Sequence, residues 1–179
     1  PLFNADQLST TAQETADGYV LNGTKTLVPL IDKAELFLVA ASLDGKPRVF
    51  IVESGSEGLT IASKPNMGIR AAAMGDLDLA EVKVSKEALL GDDTFDYQAF
   101  INFARLGWCA LAVGTAQAVL DYVIPYCNER VAFGEPISHR QAVAFMIANI
   151  GIELNAMRLM TQRAVALAEQ GKPFAREAY

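Results

Sequence analysis

Few residues in this 179-residue sequence have the chemistry of a site, and most of them lie in its second half. Arg105 stands at the head of a stretch, Leu106 to Leu120, that contains no charged residue. A guanidinium on an apolar helical face must find a partner or leave its desolvation uncompensated. An ion pair in the first third of a helix would satisfy that requirement, and so would a binding role. Arg130 belongs to Asn128–Gln141, NERVAFGEPISHRQ, which joins two long apolar segments. His139 is the single histidine, so no two-histidine metal site can form, and it reads as an exposed residue at a helix start. Ser9, Ser42 and Ser138 lack the histidine-plus-acid context of a nucleophile. The Gly55 to Gly58 stretch is not followed by G-K-[S/T] and is no phosphate loop. Cys109 and Cys127 lie in apolar helical sequence without metal spacing, which predicts reduced, buried thiols.

The elements that must position these residues can be read from periodicity and punctuation. Residues 1 to 16 are polar and aperiodic, which predicts a loop. Tyr19–Leu21 and Thr24–Val28 flank Asn22-Gly23, the dipeptide most suited to a tight hairpin, and Pro29 ends the second run. Further strands are predicted over Leu36–Ala41, Val49–Val52, Leu59–Ala62 and Leu77–Val84, the last from its alternation. The expected fold class is α+β: a small antiparallel barrel or sandwich over residues 1–92, then a helical domain over 93–179. From Phe95 the period changes to about 3.6, with one helix to about Val131 and a second from His139 to Gln170. Pro125 should kink or shorten the first. Ile101, Ala104, Trp108, Leu111, Thr115, Val119 and Tyr122 should form its inner face. On the second, the inner stripe should be Val143, Met146, Ile150, Leu154, Met157 and Ala164. In the connector, Arg130 suits the last turn of the first helix, Phe133-Gly134 a left-handed cap, and Ser138 with Gln141 a capping box.

Composition bounds the function. Hydrophobic residues make up 51% of the chain, enough for a sizeable core. The net charge of −6 argues against a nucleic-acid partner and fits a cytoplasmic protein. The uncharged part of the first helix is shorter than the ~20 residues a bilayer requires, so no membrane span is expected. The sequence opens at Pro1 without an initiating methionine, which suggests a segment of a longer protein.

The string R-x-x-F-G-x-P-I-x-x-x-Q at Arg130–Gln141, between two such helices, resembles the acyl-CoA dehydrogenase family. The stretch GYVLNGTKTLVP at Gly18–Pro29 is similar to the family's G-Y-x-L-x-G-x-K strand, and Gly68 with Arg70 to its G-x-R. The resemblance implies FAD as cofactor. Arg130 would pair with its pyrophosphate, Phe133 would pack on it, and Gln141 would contact its adenosine end, all across a subunit boundary. A planar guanidinium fork suits phosphate oxygens. Leu27, Val28 and Pro29 would lie against the flavin ring. Leu27 replaces the family's aromatic residue there, and Pro29 replaces a hydroxyl residue and has no N–H to donate. Arg105 would stand near the reactive end of the acyl chain.

The activity implied is α,β-desaturation of an acyl-CoA to a trans-2-enoyl-CoA, with electrons leaving to an electron-transfer flavoprotein and the protein acting as a homodimer or homotetramer. Glu153, Glu169 and Glu177 match no catalytic motif, so the usual glutamate is expected beyond Tyr179. An acyl-CoA oxidase-like flavoenzyme and a non-catalytic assembly subunit are the alternatives on the same fold.

Overall fold

The computed structural model describes Ala5 and residues 7–179. The chain divides into two compact units, Pro1–Tyr97 and Gln98–Tyr179. The first holds β1 (Thr11–Glu14), β2 (Gly18–Val28), β3 (Leu36–Leu43), β4 (Lys46–Glu53), β5 (Leu59–Ser63) and β6 (Gly75–Ser85). They form one open sheet in the order β4-β3-β1-β2-β6-β5. The β1–β3 pair is parallel and the others are antiparallel, so the sheet is mixed rather than a closed antiparallel barrel.

The strand β1 falls where polar composition predicts a loop. Only one of its four residues, Ala12, is buried, so its sequence lacks the alternating signal. Pairing on both sides, to β2 and β3, makes it a strand. Asp44-Gly45, a dipeptide suited to a tight turn, joins β3 to β4 with φ 51° and 76°. Leu21, Val39, Ala41, Phe50, Val52, Leu77, Leu79 and Val82 fill the core of this unit, with Tyr19 edge-on to Phe50 at 5.2 Å.

Asn22-Gly23 does not turn the chain. Gly18–Val28 is one continuous strand, and both halves pair with β6. Leu21 faces Val82 and Gly23 faces Leu79, so Ala80 and Glu81 together oppose Asn22 in a β-bulge. The Asn22 carboxamide oxygen accepts the Glu81 N–H at 2.9 Å. The bulge also explains why apolar residues on β6 change phase between Leu79 and Val82. Gly23 adopts φ 138°, and a Cβ there would meet Thr10 Cα at 2.8 Å. A second register shift separates Lys25↔Leu77 from Val28↔Gly75, with Thr26 and Leu27 opposing Asp76.

Ahead of the helices, the Asp92 carboxylate accepts the Thr94 N–H at 2.8 Å and its hydroxyl at 2.6 Å, which hold it below the usual carboxylate range. The second unit contains α1 (Tyr97–Glu129, entered from the first unit), a ribbon of β7 (Val131–Ala132) with β8 (Glu135–Pro136), α2 (Gln141–Glu169) and α3 (Ala175–Ala178). The ribbon departs from the all-helical expectation after Phe95. The helices α1 and α2 run antiparallel: Leu120 approaches Gly151, Gln117 meets Arg158, and Leu106 clusters with Ala164, Phe174 and Ala178. Pro125 lies inside α1 and does not end it.

The predicted faces are partly out of phase. Trp108, Leu111, Val119 and Tyr122 are exposed, as are Met146, Ile150 and Met157 on α2, whereas Leu154 and Ala164 are buried. Cys127 is buried but Cys109 is exposed. Apolar residues surround α1 on all sides, so its sequence could not mark the buried side. Both helices are long and apolar enough, by length and composition, to cross a membrane.

Candidate functional site

Two places collect the residues singled out by sequence. In the first unit, the second bulge carries Leu27, Val28 and Pro29. Leu27 has φ 56° and an exposed side chain, and its N–H donates to the Asp76 carboxylate at 3.4 Å. Past Pro29, the Leu30 and Ile31 N–H groups donate to the Ala72 and Ala73 carbonyls at 2.7 and 3.1 Å, docking the strand end on a 3-10 turn at Arg70–Ala72. Leu27, Leu30, Ile69 and Ala73 are four of the seven non-glycine residues with positive φ among the described residues. Each such residue costs about 1–3 kcal/mol, and strain of this kind concentrates at ligand-binding positions. Leu27, Leu30, Met67 and Ile69 present apolar side chains to solvent at this corner.

A cleft of about 230 Å³ lined by Lys64, Asn66, Ile69 and Arg70 adjoins it, and Lys64 is ion-paired with Asp76. Lys25, upstream on β2, is held below its ordinary pKa by burial. No sequence signal disclosed the bulge, because a register shift depends on the partner strand.

In the second unit, α1 ends at Glu129, so Arg130 stands one residue beyond it rather than in its last turn. Its N–H still donates to the Tyr126 carbonyl at 2.9 Å, and its carbonyl accepts from Ile137 at 2.9 Å. Phe133 and Gly134 are therefore not a helix cap. At φ 57° and 85° they form the two-residue turn of the β7–β8 ribbon. The Phe133 ring is 94% exposed. Left-handed backbone at a bulky residue costs about 1–2 kcal/mol, so this turn holds an aromatic side chain outward at an energetic cost.

Ser138 falls in a 3-10 turn, Ile137–His139, and the capping box does not form. Arg140 is the N-cap of α2, and Gln141, exposed, is its first residue. Arg140 went unnoticed in the sequence. Its guanidinium lies 5.0 Å from the Phe133 ring centroid and donates to the Ala132 carbonyl at 3.2 Å. The Glu135 carboxylate lies 3.5 Å from the His139 imidazole and 3.9 Å from the Arg140 guanidinium.

Among the described residues, Arg105 finds neutral partners rather than an acid. It donates to the buried Asn102 at 3.3 Å and lies 4.7 Å from the Tyr179 ring centroid. An open apolar groove of about 390 Å³ runs between the first half of α1 and the last turns of α2, lined by Phe103, Leu106, Ala110, Val165 and Ala168.

Comparison with known proteins decides the family. Residues 3–82 match "Acyl-CoA dehydrogenase, middle domain" and residues 96–179 match "Acyl-CoA dehydrogenase, C-terminal domain". The chain belongs to the acyl-CoA dehydrogenase family. The short/branched chain specific acyl-CoA dehydrogenase of Rattus norvegicus is 37% identical over 96% of this chain and 42% of its own. The caffeyl-CoA reductase-Etf complex subunit CarC of Acetobacterium woodii is 35% identical over 98% of this chain and 48% of its own. A solved FAD-dependent dehydrogenase superposes with TM-score 0.86 at 27% identity, over 97% of this chain and 49% of that one. The chain thus spans about half the length of the relatives it matches.

Within this acyl-CoA dehydrogenase-family chain, the chemistry of the connector suits a dinucleotide. It pairs a cation (Arg130) with an outward aromatic face (Phe133) and an exposed carboxamide (Gln141) for polar contacts.

Proposed function

We propose that the intact protein is an FAD-dependent acyl-CoA dehydrogenase converting an acyl-CoA to its trans-2-enoyl-CoA. The observation that carries this reading is the connector, where Arg130, Phe133 and Gln141 keep the family spacing and Phe133 is turned outward against its backbone preference. FAD, when bound, supplies the acceptor for the hydride that leaves the β-carbon as a base takes the α-proton. Arg130 would hold the pyrophosphate by charge-assisted hydrogen bonds, Phe133 would cover a ring face, and Gln141 would meet the adenosine end. Leu27, Val28 and Pro29 would form an apolar wall that excludes water from the ring.

Proton abstraction is assigned to none of Glu153, Glu169 and Glu177. The first two are exposed, and Glu177 lies 3.3 Å from Arg163. Arg105 is assigned to the substrate side of α1. An electron-transfer flavoprotein is the proposed electron acceptor, supported by the relative named as part of an Etf complex.

Exposed apolar faces on α1 and α2 support a homodimer or homotetramer, because contiguous patches above a few hundred Å² rarely stay open to water. The polar bridge from Arg158 to Gln117 and Asp121 at mid-helix favours protein over lipid as their surroundings. Cytoplasmic residence is part of the same reading, resting on the net charge of −6 and the two free cysteines.

The test is FAD retention. Arg130→Ala in the intact protein removes a charged hydrogen bond, about 1.5–3 kcal/mol, and should weaken FAD binding roughly 10- to 100-fold. Unchanged flavin absorbance after gel filtration would refute the assignment. An oxidase on the same scaffold, which the altered Leu27 and Pro29 allow, would consume oxygen during turnover where a dehydrogenase would not.

A further inference from the structure

We propose that Arg140 is a positioning residue: its guanidinium, set over the Phe133 ring and tied to the ribbon, fixes the ring in the orientation that receives the cofactor. This rests on the reading of the connector given above.

The α2 start does not need this side chain. It is the Arg140 backbone carbonyl that accepts the Val143 and Ala144 N–H groups, each at 3.0 Å, and any residue can supply that carbonyl. A cation at a helix N-terminus also opposes the helix dipole, and α2 has no acidic residue in its first turn to offset it. The position therefore disfavours arginine on local grounds.

The side chain serves the ribbon instead. One amino group donates to the Ala132 carbonyl, the residue immediately before Phe133. The carboxylate of Glu135, immediately after Gly134, lies 3.9 Å from the same amino group. The guanidinium carbon lies over the Phe133 ring, 5.0 Å from its centroid. Arg140 thus grips both sides of the two-residue turn and its aromatic side chain. The ribbon pairing holds the left-handed backbone, and among the described residues Arg140 is the one charged or aromatic group set over the 94%-exposed Phe133 side chain. Lysine lacks the planar face that arginine sets over the ring.

The test compares Arg140→Lys, Arg140→Leu, Phe133→Leu and the Phe133→Leu/Arg140→Leu double variant in the intact holoprotein, reading FAD dissociation by flavin fluorescence. A second readout, in the 179-residue chain, is the ring-current shift of the Arg140 side-chain protons by NMR. Both Arg140 variants should weaken FAD about fivefold or more. The double variant should be no weaker than Phe133→Leu alone, and the upfield shift should vanish in Phe133→Leu. A lysine variant that binds like wild type would show that Arg140 acts through its charge alone, additive losses in the double variant would show that it acts independently of Phe133, and either result would overturn the proposal. So would an absent ring-current shift, or an FAD affinity that falls with Phe133→Leu but not with Arg140→Leu. If Phe133→Leu itself leaves FAD binding unchanged, the reading of the connector fails and this inference fails with it.

Discussion

Replacing Gly23 by alanine tests whether the bulge that sets the course of β2 toward Leu27–Pro29 is sterically enforced. The new Cβ would lie 2.8 Å from Thr10 Cα, 2.9 Å from its Oγ1 and 3.1 Å from its Cβ, at φ 138°. Thr10 is fully buried, and the nearest atom is backbone, so no rotamer change relieves the clash. Strain at this φ contributes about 1–3 kcal/mol and overpacking about 1–3 kcal/mol. Gly23→Ala should therefore destabilise the sheet by roughly 2–6 kcal/mol. Gly45 serves as a control without a clash. It also has positive φ, 76°, but a Cβ there would meet nothing within 4 Å, so Gly45→Ala should cost only about 1–2 kcal/mol. Hydrogen exchange of the slowest β2 amides reads the loss within the first unit alone, without assuming that both units unfold together. Equal losses for the two variants would show that Thr10 yields and that close approach is not why glycine stands at this bulge. Adding Thr10→Ala to Gly23→Ala should rescue only part of the loss, since the clash with the main chain of residue 10 remains.

Phe50→Ala empties the centre of the first unit and should cost about 3–5 kcal/mol, with the lost Tyr19 ring packing included, as read from urea denaturation. Lys25 titrates below its ordinary value of 10.5 in the folded chain because burial disfavours its charge. Between that lowered pKa and 10.5 the unfolded chain binds more protons, so stability should rise with pH across that window. Lys25→Met should flatten this rise in denaturation midpoints, and an unaltered slope would assign it elsewhere. Arg158→Leu leaves Gln117 without its cross-helix donor and should destabilise the helical unit by about 1–3 kcal/mol, measured by circular dichroism at increasing urea.

Much of this protein is written locally. The switch from two-residue to helical periodicity near Phe95, the Asp44-Gly45 turn and the spacing from Arg130 to Gln141 depend on residues close together in the chain. Each was legible for that reason, and the family resemblance rests on the same local strings. What escaped the sequence is what depends on a partner. Asn22-Gly23 has every local mark of a hairpin, yet β6 pairs with both sides of it and turns the dipeptide into a bulge. Polar β1 becomes a strand only because β2 and β3 flank it. Along α1, apolar residues on every side leave no moment to fix its phase, and packing against α2 selected the side that Trp108 and Leu111 do not occupy. The connector shows both kinds of determination within fourteen residues. Sequence marks Phe133-Gly134 as a place where the backbone turns left-handed. Whether that turn caps a helix or closes a ribbon rests on the hydrogen bonds that Arg130 and Ala132 make with Ile137 and Arg140. Those bonds join residues seven and eight apart, so no single-residue preference contains them.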